Sequence, residues 1–292
     1  MPMDQELIRL LKITGALAKI HLGPLLDGPR ELILSGQLDR LFDDAQELDR
    51  SKRYADALAK YLEVFERSRK CPGWGGVRLS FVLSNISRMD YPPAKHALFE
   101  LRQHRECQML AGIYDWDHIS EWVAINRYIA DNDIIKFHEE LKWLELDVYE
   151  ICRDIRRLAM KNFVDAKLYS EYGRADIERN FAMLHMLVKQ FRPGTALARG
   201  SEDTRKTLKE SIIRQDVLAF EIAIALGEDD VANGMVRLFV ELEPTSASFI
   251  ALSERARHAG IVKWEKELAT RAASCLSKDE YAKFERGNGG AS

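Results

Sequence analysis

What the chain lacks narrows its class first. Cysteine is scarce: Cys71, Cys107, Cys152 and Cys275 are the four, spaced 36, 45 and 123 residues apart. None forms a C-x-x-C pair, so a zinc knuckle or thioredoxin-like motif is excluded. A chain of 292 residues has enough core without disulfide staples. The expectation is reduced, mostly buried thiols in a cytoplasmic protein. A dominant sign of charge is also missing. Lys and Arg total 43 against 46 Asp and Glu, a net charge of −3. There is no bulk positive field for phosphate backbones or anionic lipid. No apolar run approaches the ~20 residues that span a bilayer. Asp4, Glu6, Arg9, Lys12 and Lys19 break up residues 1–20, which argues against a secretory or transit leader. Also absent are the G-x-S-x-G elbow, the Walker A lysine loop, H-E-x-x-H and the dinucleotide glycine fingerprint.

Glycine and proline are missing from the whole of residues 113–172, which favours helices over turn-rich β structure. What is present is helical periodicity, with no convincing strand alternation. Leu141, Leu144, Val148, Ile151, Ile155 and Leu158 follow 3-4-3-4-3 spacing and read as a core-facing stripe in a helical array. Gly- and Pro-containing breaks, among them Gly28–Pro29, Pro92–Pro93, Gly173, Gly227, Pro244 and Gly260, leave segments suited to antiparallel hairpins.

A repeat emerges from this pattern. One unit carries Leu41, Ala45, Leu48, Tyr54, Ala57, Leu58, Tyr61, Val64 and Phe65. Another carries Phe220, Ala223, Gly227, Ala232, Val236 and Phe239, and a third Leu252, Ala256, Gly260, Leu268 and Ala272. Gly227 and Gly260 stand 33 residues apart. Weaker units lie near Val82–Ala94–Leu98–Leu101 and Ile125–Phe137–Leu141–Leu144.

These residues resemble the tetratricopeptide repeat, a helix–turn–helix unit. The resemblance covers residues 38–70 and 217–273 and is degenerate between them. The run from Gly76 to Ser84, with Tyr91–Pro92–Pro93–Ala94, also resembles segments of uncharacterised bacterial proteins of this repeat type, which suggests a bacterial source. The resemblance implies an all-α fold of antiparallel hairpins stacked into a right-handed superhelix, an α-solenoid. The organisation expected is an N-terminal capping region over 1–37, degenerate repeats over 38–191, a hinge at 192–203, C-terminal repeats and cap over 204–286, and a disordered tail at 287–292.

Local chemistry is sparse. Gly73–Trp74–Gly75–Gly76 reads as an inter-helix turn, since no Lys-Ser/Thr follows to cradle phosphate. Glu100, His104 and Cys107 share a helical face without a second ligand pair, so no metal site is expected. Asp115–Trp116–Asp117–His118, near Glu121, reads more simply as a helix start capped by Asp117 or Ser120. The basic residues Arg153, Arg156, Arg157 and Lys161 are diluted by acids and read as a solvated face.

The expected function is therefore a non-enzymatic scaffold or adaptor with no cofactor, no catalytic residue and no membrane partner. It would hold a peptide or protein on the concave face that stacked repeats expose. Trp74, Arg78, Asn85, Trp122, Asn126 and Arg127 are the expected contacts. Asn bonds a peptide backbone in both directions, and Arg grips carboxylates bidentately. Self-association is compatible with this reading. An RNA-binding repeat protein and an all-α enzyme without a visible motif are the alternatives.

Overall fold

A computed structural model describes residues 30–71, 74–129, 133–143, 148–191 and 202–288. Among the described residues every regular element is a helix and no strand occurs. The chain divides into two compact units, Met1–Ala159 and Met160–Ser292. Of the segments singled out above, 1–29, 192–201 and 289–292 lie outside the described residues.

Unit 1 opens with the hairpin of α1 (Arg30–Arg50) and α2 (Tyr54–Arg67), followed by the 3-10 turn Ser68–Lys70. Residues 74–88 form one continuous helix, α3, whose middle, Val77–Val82, is π-helical. Gly75 and Gly76 thus lie inside a helix rather than in the expected turn. Then come α4 (Pro92–Leu110), α5 (Trp116–Asn126), α6 (Ile134–Lys142) and α7 (Tyr149–Leu158). The Pro92–Pro93 pair starts α4, where missing N–H groups cost nothing. The apolar stripe of α1, Leu38, Leu41, Phe42 and Ala45, packs on Tyr61, Val64 and Phe65 of α2 in one core with Val82, Ile86 and Leu98. Helix α5 lies deepest. Each residue from Ile119 to Asn126 is buried, with α3, α4 and α7 packed around it.

Unit 2 contains α8 (Met160–Asp165), α9 (Arg174–Lys189), α10 (Glu202–Ala225), α11 (Asp229–Leu242), α12 (Ser246–Ala259), α13 (Val262–Cys275) and α14 (Lys278–Asn288). Its alternate helices stack in succession: α8 on α10, α10 on α12, α12 on α14, with α9 on α11. The last helix is tied to its neighbour at both ends of the physics. Phe284 is buried against Phe249, with ring centroids 6.2 Å apart. Glu280 accepts the Ser246 amide at 2.9 Å, capping α12 from outside. The Lys283 hydrogen bond, then those from Ser246, hold the Glu280 carboxyl down to about 2. Gly287 and Asn288, expected in a tail, complete α14.

Five turns share one hydrogen-bond pattern. Residues 52, 112, 167, 227 and 260 have positive φ, between 56° and 76°. Each closes a helix with the paired bonds of a Schellman motif; at the last, Ile261 N–H reaches Ala256 O at 3.0 Å and Gly260 N–H reaches Arg257 O at 2.9 Å. Glycine suits this conformation at 112, 227 and 260, whereas Lys52 and Lys167 hold it against their Cβ atoms. Gly260→Ala is expected to cost about 1 kcal/mol, and Lys52→Gly to gain a few tenths to about 1 kcal/mol. Thermal melts of the two variants, moving in opposite directions, check this.

Small residues set the hairpin spacing. Ala57 and Ala232 are fully buried. A Cβ on Gly234 would fall 2.7 Å from Cζ of Phe181, so the glycine on α11 makes room for that ring from α9. Ala57→Leu or Ala232→Leu should overpack its hairpin and cost roughly 1–3 kcal/mol. Chemical denaturation reads the loss, and an unchanged midpoint for either would misplace the repeat register.

Candidate functional site

The site is built on a helix that is buried from Ile119 to Asn126. Three of the buried residues on α5 are polar, and two of them answer to their own backbone. Ser120 Oγ donates to Trp116 O at 2.7 Å, and Asn126 Nδ2 donates to Trp122 O at 2.9 Å. The third, Glu121, is wholly buried and cannot reach solvent. An isolated carboxylate there would be prohibitive unless paired.

Three arginines pair it. Arg69, in the 3-10 turn after α2, grips it bidentately, Nε to Oε1 at 2.7 Å and Nη2 to Oε2 at 2.6 Å. Arg105 on α4 donates from Nε to Oε2 at 2.6 Å. Arg78, in the π-helical stretch of α3, donates from Nη1 to Oε1. Arg105 is further fixed by Gln108 at 2.9 Å and by Glu66 on α2 at 2.8 Å. Arg78 and Arg105 are themselves 2% and 1% exposed, so the charges sit in low dielectric where each bond is strong. Burial pushes the Glu121 carboxyl up, but the Arg69 hydrogen bonds and the charges of Arg105, Arg78 and Arg69 prevail and hold it below its usual range. Arg78 Nε is buried without a hydrogen-bond partner.

The π-helical turn divides Val77–Val82 between inside and outside. Arg78 faces inward, its Cζ 5.3 Å from the Phe65 ring centroid, while Phe81 is 62% exposed. Such turns are rare and are frequently found at functional positions.

The expected contact residues fare unequally. Trp74, Arg78, Trp122 and Asn126 are buried, so they are not presented on a surface. Trp74 packs against Phe42 (6.2 Å), and Trp122 lies 4.9 Å from Phe137 while donating to Glu106 at 2.9 Å. Asn85 is half-buried and donates to Tyr61 Oη at 3.3 Å. Arg127 is exposed, with Nη2 3.3 Å from Leu158 O. The physical reason is the depth of α5 and the inward face of α3: polar residues there answer interior needs. Arg78 does grip a carboxylate, but it is the chain's own.

Other local expectations are also redrawn. Asp115, rather than Asp117 or Ser120, caps α5, accepting from His118 N at 2.9 Å. Glu100 pairs with His96 at 3.2 Å. Arg153 pairs with Asp154 at 3.1 Å and Lys161 with Asp165, whereas Arg156 is buried and Arg157 lies over the Trp116 ring, 5.1 Å from its centroid. Cys71 and Cys152 are buried, while Cys107 and Cys275 are exposed.

Unit 2 repeats the principle with different chemistry. Glu221 on α10 is wholly buried and accepts from Tyr169 Oη at 2.6 Å and from Arg255 at 3.4 Å, with His258 Nδ1 at 2.5 Å. Burial, then the bond to Glu221, raises the Tyr169 pKa.

No family model, curated protein or solved structure matches the chain.

Proposed function

We propose that the chain is a tetratricopeptide-like α-solenoid that acts as a non-enzymatic scaffold for a protein or peptide partner. The observation that carries this reading is the succession of stacked alternate helices in unit 2, closed by Gly227 and Gly260 turns 33 residues apart. Arrays of this kind use extended surfaces for recognition. In unit 1 the Glu121 cluster supports the same reading by joining α2, α3, α4 and α5 into a rigid body. Contact with a partner then falls to side chains left outside that body: Phe81, Trp116 (42% exposed) and Arg127. Trp and Arg are enriched among interface anchors.

The test is capture of partners on the intact chain at moderate salt, identified by mass spectrometry and then reconstituted from purified components. A single stoichiometric protein, bound at least about tenfold more weakly by Phe81→Ser or Arg127→Ala, is the expected result. Co-purifying RNA lost steeply with salt would replace the scaffold reading with RNA binding.

A further inference from the structure

We infer that the arginine cluster around Glu121 is a binding site for a phosphate monoester, with Glu66 holding the place of the phosphate until the ligand arrives. The cluster contains two carboxylates of opposite character. Glu121 is wholly buried and fixes the guanidinium groups: Arg69 through Nε and Nη2, Arg105 through Nε, Arg78 through Nη1. Glu66 is 50% exposed. It touches the same arginines from the solvent side, Arg105 Nη2 at 2.8 Å and Arg69 Nη2 at 3.8 Å. One is a strut, and the other is a removable plug.

Turning Glu66 outward needs only rotation of one long surface side chain on α2. It releases Arg105 Nη2 from its ion pair beside Arg69, whose side chain is 20% exposed. Both guanidinium planes remain locked by Glu121, so the ordering cost of forming an arginine fork has been met before a ligand binds. The charge then selects the ligand. Within the hydrogen-bonded set, three guanidiniums face the one carboxylate of Glu121, an excess of two positive charges that matches the roughly −1.5 to −2 of a phosphate monoester near pH 7. A lone carboxylate would neutralise half of it. Within the same cluster Arg78 Nε is a buried donor without an acceptor, a further sign that the donors of the cluster exceed its resident acceptors. Bidentate arginine geometry suits phosphate oxygens as it suits carboxylates. The inference does not depend on the scaffold reading. A phosphate on a modified protein and one on a small metabolite offer the same chemistry.

Isothermal titration calorimetry on the full chain, at matched ionic strength with chloride as control, tests it with three probes: inorganic phosphate, a phosphoserine peptide and glucose 6-phosphate. Glu66→Gln removes the competing carboxylate at a half-exposed position, and it should bind inorganic phosphate about tenfold more tightly than the unmodified chain. Adding Arg69→Lys, which keeps the charge but loses the fork, should reverse that gain, while adding Arg50→Ala, at a side chain 70% exposed, should leave it unchanged. Tighter binding of the phosphopeptide than of the sugar phosphate assigns the site to a modified protein; the opposite order assigns it to a metabolite. Equal phosphate affinity with and without Glu66→Gln overturns the inference, as does an Arg50→Ala effect as large as that of Arg69→Lys. Circular dichroism melts of the Glu66→Gln and Arg69→Lys chains show that each variant compared is folded.

Discussion

Replacing Glu121 with Gln is expected to cost unit 1 roughly 3–5 kcal/mol, the loss typical when one partner of a buried ion pair is removed and the others stay charged. The amide keeps the shape of the carboxylate, so packing is conserved and the loss is electrostatic. Arg78 and Arg105, almost without solvent contact, would be left facing a neutral group. Replacing Arg69, which is partly exposed, should cost less because water takes over some of its bonds. Tryptophan fluorescence separates the units: Trp74, Trp116, Trp122 and Trp143 lie in unit 1, and Trp264 alone in unit 2. A denaturation midpoint shared by Glu121→Gln and the unmodified chain would show that the cluster does not hold unit 1 together. The pH sense follows from the lowered carboxyl. Its stabilisation is present above the ordinary carboxylate range and is lost as the pH falls through the folded-state value.

Unit 2 is expected to respond to pH in the opposite sense at Asp216. Burial on α10 pushes this carboxyl up from 3.8 to about 7. The folded state therefore penalises the ionised form. Stability contributed by the protonated acid is full below the unfolded value near 4 and is lost as the pH rises toward 7. Between pH 5 and pH 8 the loss should be about 2–3 kcal/mol. Asp216→Asn removes the titration, so its melting temperature should exceed that of the unmodified chain at pH 8 and converge with it toward pH 4. Parallel pH profiles for the two proteins would show that Asp216 is well solvated.

Much of the architecture was legible because helix packing writes a local code. The apolar residues quoted for the three clear repeat units are buried or half-buried: Phe220, Ala223, Leu252, Ala256, Leu268 and Ala272 are each at most 1% exposed. Gly227 and Gly260 could be read as turns because glycine tolerates positive φ. The matching turns at Lys52 and Lys167 carry no such mark, since the surrounding helices impose the conformation there. The site was less legible. An Arg four residues into a weakly apolar helix looks alike whether it faces water or a buried acid, and the facing acid of Arg78 is 43 residues away in sequence. The one available signal was Glu121 itself, placed directly before the apolar run Trp122–Val123–Ala124–Ile125. An acid within the buried stretch Ile119–Asn126 requires cations from elsewhere, and Arg69, Arg78 and Arg105 supply them.

The two buried glutamates also bear on the order of events in folding. Contacts within each hairpin join residues close in sequence, so hairpins can form early and rapidly. The bond from Arg69 to Glu121 and that from Tyr169 to Glu221 each span 52 residues. Such links can close only after separate hairpins have met, and we expect them to form on the native side of the main barrier. Interactions made that late slow the reverse reaction while leaving the forward rate nearly unchanged. The glutamates thus act as latches on lifetime: Glu121→Gln should leave the refolding arm of a chevron plot almost in place and raise the unfolding arm.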